Sequence, residues 1–337
     1  MIEDVSVTVE NDAGQPVTVR AYRLTGTGGG PRVHLQAGVH ADEIAGMLVL
    51  HKLLERLREA EAAGRLRGTV TVVPQANPLG LVQFCQGRLV GRFHEATNRN
   101  FNRGFNVSAN MLDAQTAVDA WQKALLQLAS PAEIILDLHT DAEAVPYVYV
   151  HRRFEQAASD LLGALEPELA IVWDDEDDGA FEGAIVSGWM RGPQTDGRLV
   201  ATLELRGQSD VSDALSGQDA SGLYAFLCGR GVVDEDVAPA VWRGETVPIQ
   251  HMETVLAPVA GIVVYERELG ARLEAGERFA RIVARPGDPA SERVLHAPQA
   301  GRLVTRSRER LIVRGEVVAK LTGSRQSDGW AGGPLDP

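Results

Sequence analysis

Cysteine is scarce. Cys85 and Cys228 are the only two in 337 residues, far apart and in no C-x-x-C. That excludes a disulfide-built scaffold and makes a reducing cytoplasm the expected setting. Long apolar runs are missing too, so no membrane span is expected. The first residues, Met1-Ile2-Glu3-Asp4-Val5, are acidic and lack the apolar core of a secretory leader. Positive charge is in deficit: 33 Lys and Arg against 46 Asp and Glu leave a net charge of −13. Nucleic acid is therefore not an expected partner, because phosphate binding needs clustered cations. No G-x-S-x-G occurs, which disfavours a serine hydrolase. His94-Glu95 is followed by Ala96-Thr97-Asn98, so H-E-x-x-H is absent as well.

What is present centres on Gly38-Val39-His40-Ala41-Asp42-Glu43. The strand-like run Arg32–Ala37 leads in and the helix-like run Ile44–Leu54 leads out. His40 and Glu43 thus sit where a strand gives way to a helix, the edge at which open α/β sheets bind ligands. An imidazole and a carboxylate three residues apart share one face of a helical turn and can converge on one metal ion. The best third ligand is His139, at the end of the apolar run Glu133–His139. His, Glu, His and an open position form a catalytic zinc set. Asp137, two residues earlier on the same strand face, reads equally as a partner for a ligand or as a structural residue.

Residues 4 to 25 alternate around Asn11-Asp12-Ala13-Gly14 and read as a β-hairpin. Gly26–Pro31 precedes a strand, so it reads as a linker and not a phosphate loop. Another strand is expected over Gly68–Pro74. Residues 81 to 112 are long, irregular and arginine-bearing, with Arg88, Arg92, Arg99 and Arg103. Such a segment inside a compact domain is functional or simply mobile. Helices are expected over 113–130, 154–165 and 218–230, with strands at 133–139, Tyr147–Val150 and Leu199–Gly207. Glu204 interrupts the last apolar run, so it has a task or alternates to solvent with Thr202 and Arg206. Asp174–Gly179 reads as a solvated acidic loop, since Ile185 stands where a calcium loop needs Glu.

The alternation predicts an α/β fold: a mixed, mostly parallel sheet with helices on both faces. Short Val-rich runs follow Pro248, and Ala257-Pro258-Val259-Ala260-Gly261 recurs as Ala297-Pro298-Gln299-Ala300-Gly301. Two such halves predict a small all-β, barrel-sandwich-like module, similar to biotinyl and lipoyl domains. Its one lysine, Lys320, lies in the last strand and not between the halves, which excludes a swinging arm. The expected division is a catalytic domain over 1–240, the β-domain over 241–323 and a flexible tail over 324–337.

With Gly38–Glu43, Asn100-Phe101-Asn102-Arg103, Asp137–Thr140 and Thr202–Arg206 in place, nearly the whole chain resembles the succinylglutamate desuccinylase/aspartoacylase family. The resemblance implies a zinc carboxypeptidase-like catalytic fold with one Zn2+ per chain, held by His40, Glu43 and His139. It implies Glu204 as general base and Arg92 as the group that polarises the scissile carbonyl. Asn102 and Arg103 match the pair that grips a substrate carboxylate, though Asn98-Arg99 forms a second such pair and leaves Arg99 open. The implied reaction is hydrolysis of the amide bond of a small anionic N-acyl amino acid. A metallocarboxypeptidase acting on small peptides and a non-catalytic binding protein on the same fold are the alternatives. A homo-oligomer is left open.

Overall fold

The structure, a computed structural model, describes residues 2–105, 114–174, 179–191, 197–238, 240–332 and residue 335. Its largest element among these is a ten-stranded sheet. The order runs Glu3–Asp4, Pro16–Thr25, Thr69–Gln75, Arg32–Ala37, Ile134–Asp141, Leu199–Gly207, Tyr147–His151, Leu169–Trp173 and Glu245–Pro248, with Val7–Glu10 on Pro16–Thr25. The centre is parallel: Arg32–Ala37 pairs with both Thr69–Gln75 and Ile134–Asp141, and the latter pairs with Leu199–Gly207. Tyr147–His151 enters antiparallel to Leu199–Gly207.

Five helices are described: α1 (Ala45–Ala62), α2 (Ala117–Ala129), α3 (Ser159–Leu165), α4 (Phe181–Met190) and α5 (Asp213–Gly229). Helix α1 buries Val49, Leu50, Leu53, Leu54 and Leu57. That spacing forms one helical stripe, and each leucine contributes about 2 kcal/mol on full burial. A Cβ at Gly46 of α1 would meet Leu138 and Ala37 of the sheet. The opposite face carries His34, whose ring centroid lies 6.3 Å from that of Phe181 at the start of α4. Helices therefore cover both faces, and no described helix is long and apolar enough to cross a membrane.

Several helix boundaries differ from the sequence expectation. Helix α2 starts at Ala117 because Thr116 and Asp119 form a reciprocal capping box; residues 106–113, where its expected start falls, lie outside the described residues. The expected 154–165 helix is two 3-10 turns followed by the seven-residue α3. Helix α5 begins earlier than expected, at Asp213, because the Ser212 hydroxyl accepts from the Leu215 N–H. Most of the acidic run, residues 175–178, lies outside the described residues.

The C-terminal module is built from two sheets. One orders Glu143–Ala144, Gly301–Arg306, Val317–Leu321 and Glu253–Leu256, with Arg272–Leu273 beside Gly301–Arg306. The other orders Glu292–His296, Arg278–Val283, Gly261–Tyr265 and Leu311–Ile312. Val263, Leu273, Phe279, Ile282, Leu295, Leu303, Ile312, Val318 and Leu321 belong to one core between them. The repeated Ala-Pro-x-Ala-Gly leads into Gly261–Tyr265 of one sheet and Gly301–Arg306 of the other.

Strand pairing crosses the boundary set at 240 in both directions. Glu245–Pro248 closes the edge of the large sheet against Leu169–Trp173, and Glu143–Ala144 joins the module's sheet against Thr305–Arg306. The segment read as a frayed end has seated residues: the Ser327 hydroxyl bonds to Glu253 at 2.5 Å, and Leu335 is buried.

Candidate metal centre

Positions 40 and 43 lie in a single turn between Arg32–Ala37 and α1, closed by the Glu43 N–H on the His40 carbonyl at 3.1 Å. Gly38 enters that turn at φ +78, where a Cβ would collide with Met47. Helix α1 has no side-chain cap and no acid in its first turn. Its N-cap position is held by Ile44, which has no polar side chain to offer.

His40, Glu43 and His139 are all buried, and their ligand atoms lie within 4.8 Å of one another. His40 Nδ1 is 2.8 Å from Glu43 Oε1, and His139 Nδ1 is 2.8 Å from Glu43 Oε2. The far nitrogens are engaged: His40 Nε2 donates to Asn100 Oδ1 at 2.9 Å, and His139 Nε2 to Asp137 Oδ2 at 3.0 Å. An acceptor on Nε2 leaves each neutral ring with its Nδ1 lone pair facing the carboxylate. Lone pairs aimed at an anion need a proton or a metal cation between them. Burial alone would raise the Glu43 carboxyl, yet His40 and His139 hold it well below the usual carboxylate range. Burial alone would depress the His139 imidazole, yet Asp137 and Glu43 hold it well above its ordinary value. The donor set fits a borderline divalent metal such as zinc, with partners fixing both rings.

The three residues stand on the wall of a cavity of about 630 Å³. Arg92, Asn102, Arg103 and Glu204 also line it. Glu204 sits in register beside His139, one strand across. Arg92 Nη1 is 3.3 Å from Glu43 Oε1. Its loop can approach because residue 91 is glycine: a Cβ there would meet the Asp42 nitrogen at 2.6 Å and Ala41 Cβ at 2.7 Å. The Asn102 amide oxygen accepts from the Phe181 N–H at 2.9 Å, which fixes the amide's orientation. Arg103 Nη1 donates to the Asn102 carbonyl at 2.7 Å.

Arg99 is placed elsewhere. It binds Asp119 at 2.6 Å and Gln122 at 2.7 Å on α2 and does not line the cavity. Its ordinary neighbours account for it, so Arg103 is the arginine of the two that reaches the site.

Two side chains take roles that the sequence did not assign. Asn100, the first residue of the Asn-Phe-Asn-Arg run, orients His40 from sixty residues away. Lys320 lines the cavity from the C-terminal module, 2% exposed in its side chain, with Nζ 2.9 Å from Asp141 Oδ2. Its signal was a charge inside the apolar run Val317–Leu321, the same kind that singled out Glu204. The rest of the lining is mixed: Tyr149 and Trp173 are aromatic, Ile249 and Leu335 aliphatic, and Asp42, Glu182 and Glu309 acidic.

Residues 29–229 match the family described as the succinylglutamate desuccinylase/aspartoacylase catalytic domain. N-alpha-acetyl-L-2,4-diaminobutyric acid deacetylase of Halomonas elongata is 25% identical over 218 residues, 62% of this chain. The match spans 58% of that relative's length. Among solved structures, a candidate succinylglutamate desuccinylase/aspartoacylase of Shewanella frigidimarina superposes with a TM-score of 0.84 at 24% identity, covering 96% of this chain and 97% of that one. The product-bound ectoine utilization protein EutE (DoeB) of Ruegeria pomeroyi gives 0.74 at 21% identity, covering 96% and 95%. The overlays share the fold across both the large sheet and the C-terminal module. By its match over 29–229, with the His40, Glu43 and His139 cluster inside the matched span, the chain belongs to the succinylglutamate desuccinylase/aspartoacylase family.

Proposed function

We propose that the chain is a zinc-dependent hydrolase that cleaves the amide bond of a small N-acyl amino acid. The observation that carries this is convergence. The His40, Glu43 and His139 ligand atoms, the Glu204 carboxylate and the Arg92 and Arg103 guanidiniums meet in one cavity.

His40 and His139 would hold zinc through Nδ1 and Glu43 through its carboxylate. When bound, zinc polarises a carbonyl and lowers the pKa of water to about 7. Glu204 takes the proton from the attacking water and returns it to the leaving amine, the two transfers that amide hydrolysis requires. Arg92 offers a fixed positive charge to the developing oxyanion. Arg103 reads the substrate carboxylate through paired N–H donors, with Asn102 beside it. Asp137 and Asn100 keep the two imidazoles in the tautomer that leaves Nδ1 free to ligate. The Halomonas relative's name makes N-acetyl-2,4-diaminobutyrate a first compound to try, and the acidic lining residues Asp42 and Glu182 would suit a substrate amine. A reducing cytoplasm suits the two free thiols, Cys85 and Cys228.

The test is a panel of N-acetyl, N-succinyl and related N-acyl amino acids, with small dipeptides alongside, assayed for released amine with zinc supplied. Release from N-acyl amino acids is expected. Release from the dipeptides alone would favour a carboxypeptidase, and binding without release a non-catalytic protein.

A further inference from the structure

Strand Leu199–Gly207 does something that simple alternation forbids. Thr202 and Glu204 line the cavity, and Arg206 shares their parity. Yet Arg206 does not line the cavity. Its guanidinium pairs with Asp219 on α5, with side-chain exposures of 16% and 10%.

The backbone explains the turn. Pairing with Ile134–Asp141 proceeds residue by residue as far as His139 opposite Glu204, then resumes at Asp141 opposite Gly207. Two steps on one strand face three on the other, which makes a bulge immediately after Glu204. Within it Arg206 has φ +140, a conformation favourable only to glycine. The strand then rejoins its neighbour, the Gln208 N–H donating to the Asp141 carbonyl at 2.9 Å, and Gln208 re-enters the cavity.

A residue with a Cβ keeps such a conformation only when its surroundings enforce it. The contact placed to do so is the largely buried ion pair with α5. We propose that Arg206 and Asp219 form a positioning device for Glu204. The pair clamps the bulge so that the guanidinium turns to α5 and the Glu204 carboxylate stays directed into the cavity. This rests on Glu204 being the general base.

Glycine adopts φ +140 without a clamp, so the idea predicts an inverted pattern of substitutions. Arg206→Ala should lose roughly 100-fold in kcat, the scale of a small misplacement of a reacting group, with KM and bound zinc unchanged. Arg206→Gly should recover most of that loss although it too lacks the ion pair. Asp219→Ala should be impaired, and Arg206→Gly combined with Asp219→Ala should regain kcat. The double variant contains no unpaired buried charge, so it remains informative if Asp219→Ala fails to fold. Unfolding midpoints and zinc content are read in parallel. Arg206→Gly as slow as Arg206→Ala, or Arg206→Ala as fast as the parent, would overturn the proposal. Glu204→Gln in the same assay separates the two ideas: undiminished turnover there removes the base assignment itself, whatever the Arg206 variants do.

Discussion

His139 Nε2 donates to Asp137 Oδ2 across 3.0 Å, from two residues along the same strand, and that bond turns the other ring nitrogen towards Glu43. Asp137 is fully buried and cannot swing away. The pair thereby sets both the tautomer and the angle of the His139 ring.

Metal binding should follow that geometry. Purified protein should hold about one zinc per chain, and His139→Ala should lose most of it. Asp137→Asn should weaken zinc affinity by about 10- to 100-fold, the usual cost of removing a ligand's outer partner. Elemental analysis and competition with a chelator measure both. Full retention in His139→Ala would remove it from the ligand set.

Glu204 should act as base and not as ligand. Glu204→Gln should retain its zinc and lose on the order of 100-fold or more in kcat, as general acid–base catalysis implies. Steady-state kinetics beside a zinc determination decide it. Loss of the metal together with activity would make Glu204 a ligand instead.

The two candidate arginines should separate cleanly. The methyl ester or amide of a good substrate should react roughly 100-fold more slowly in kcat/KM than the free acid. Arg103→Ala should narrow that gap by slowing the acid. Arg99→Ala should leave the gap intact and lower stability, because Asp119 and Gln122 each lose one hydrogen-bond partner. An unchanged preference in Arg103→Ala would falsify the carboxylate-gripping role.

Lys320 should be unmodified. Its ammonium is buried against Asp141, which also accepts from the Tyr147 hydroxyl at 2.9 Å. Intact-mass measurement should show no lipoyl or biotinyl adduct. Lys320→Met should destabilise by about 3 kcal/mol, since one partner of a buried pair is left alone. A stability equal to the parent's would mean that Asp141 is reached by water.

Acid stability should depend on His34. It is fully buried beside Gln36, and burial pushes its pKa down to about 4. The unfolded chain therefore takes up the proton first as pH falls below about 6.5. Stability is full above that value and declines down to about pH 4, by about 2 kcal/mol at pH 5. His34→Gln should flatten this fall in urea titrations at pH 7 and pH 5. Parallel losses in parent and variant would assign the fall to other groups.

Much of the candidate metal centre is written locally. The run Arg32–Ala37, the turn with His40 and Glu43, and the stripe of α1 follow from hydrophobic period and turn residues within a few positions of each other. His139 at the end of an apolar strand is legible for the same reason. The two-part architecture follows from the alternation of helix and strand periods, then from the repeated Ala-Pro-x-Ala-Gly. Helix starts were less legible. One serine or one threonine box moved α5 and α2, and a cap is a single-residue signal.

Tertiary structure decided the remainder. Whether Arg99 or Arg103 reaches the cavity depended on Asp119 and Gln122, which lie on a helix the sequence places about twenty residues away. The pairing of Glu143–Ala144 with the C-terminal module's sheet, and Lys320 in the cavity wall, arise from contacts over more than 150 residues. Arg206 is the sharpest case. Alternation is local and puts it beside Glu204, but a bulge and a helix-borne carboxylate turn it away. Period and propensity act between near neighbours, so the sequence by itself determines elements and the residues at their ends. Which of those side chains share a cavity is settled by long-range packing, where desolvated charges find the one partner the fold brings within reach.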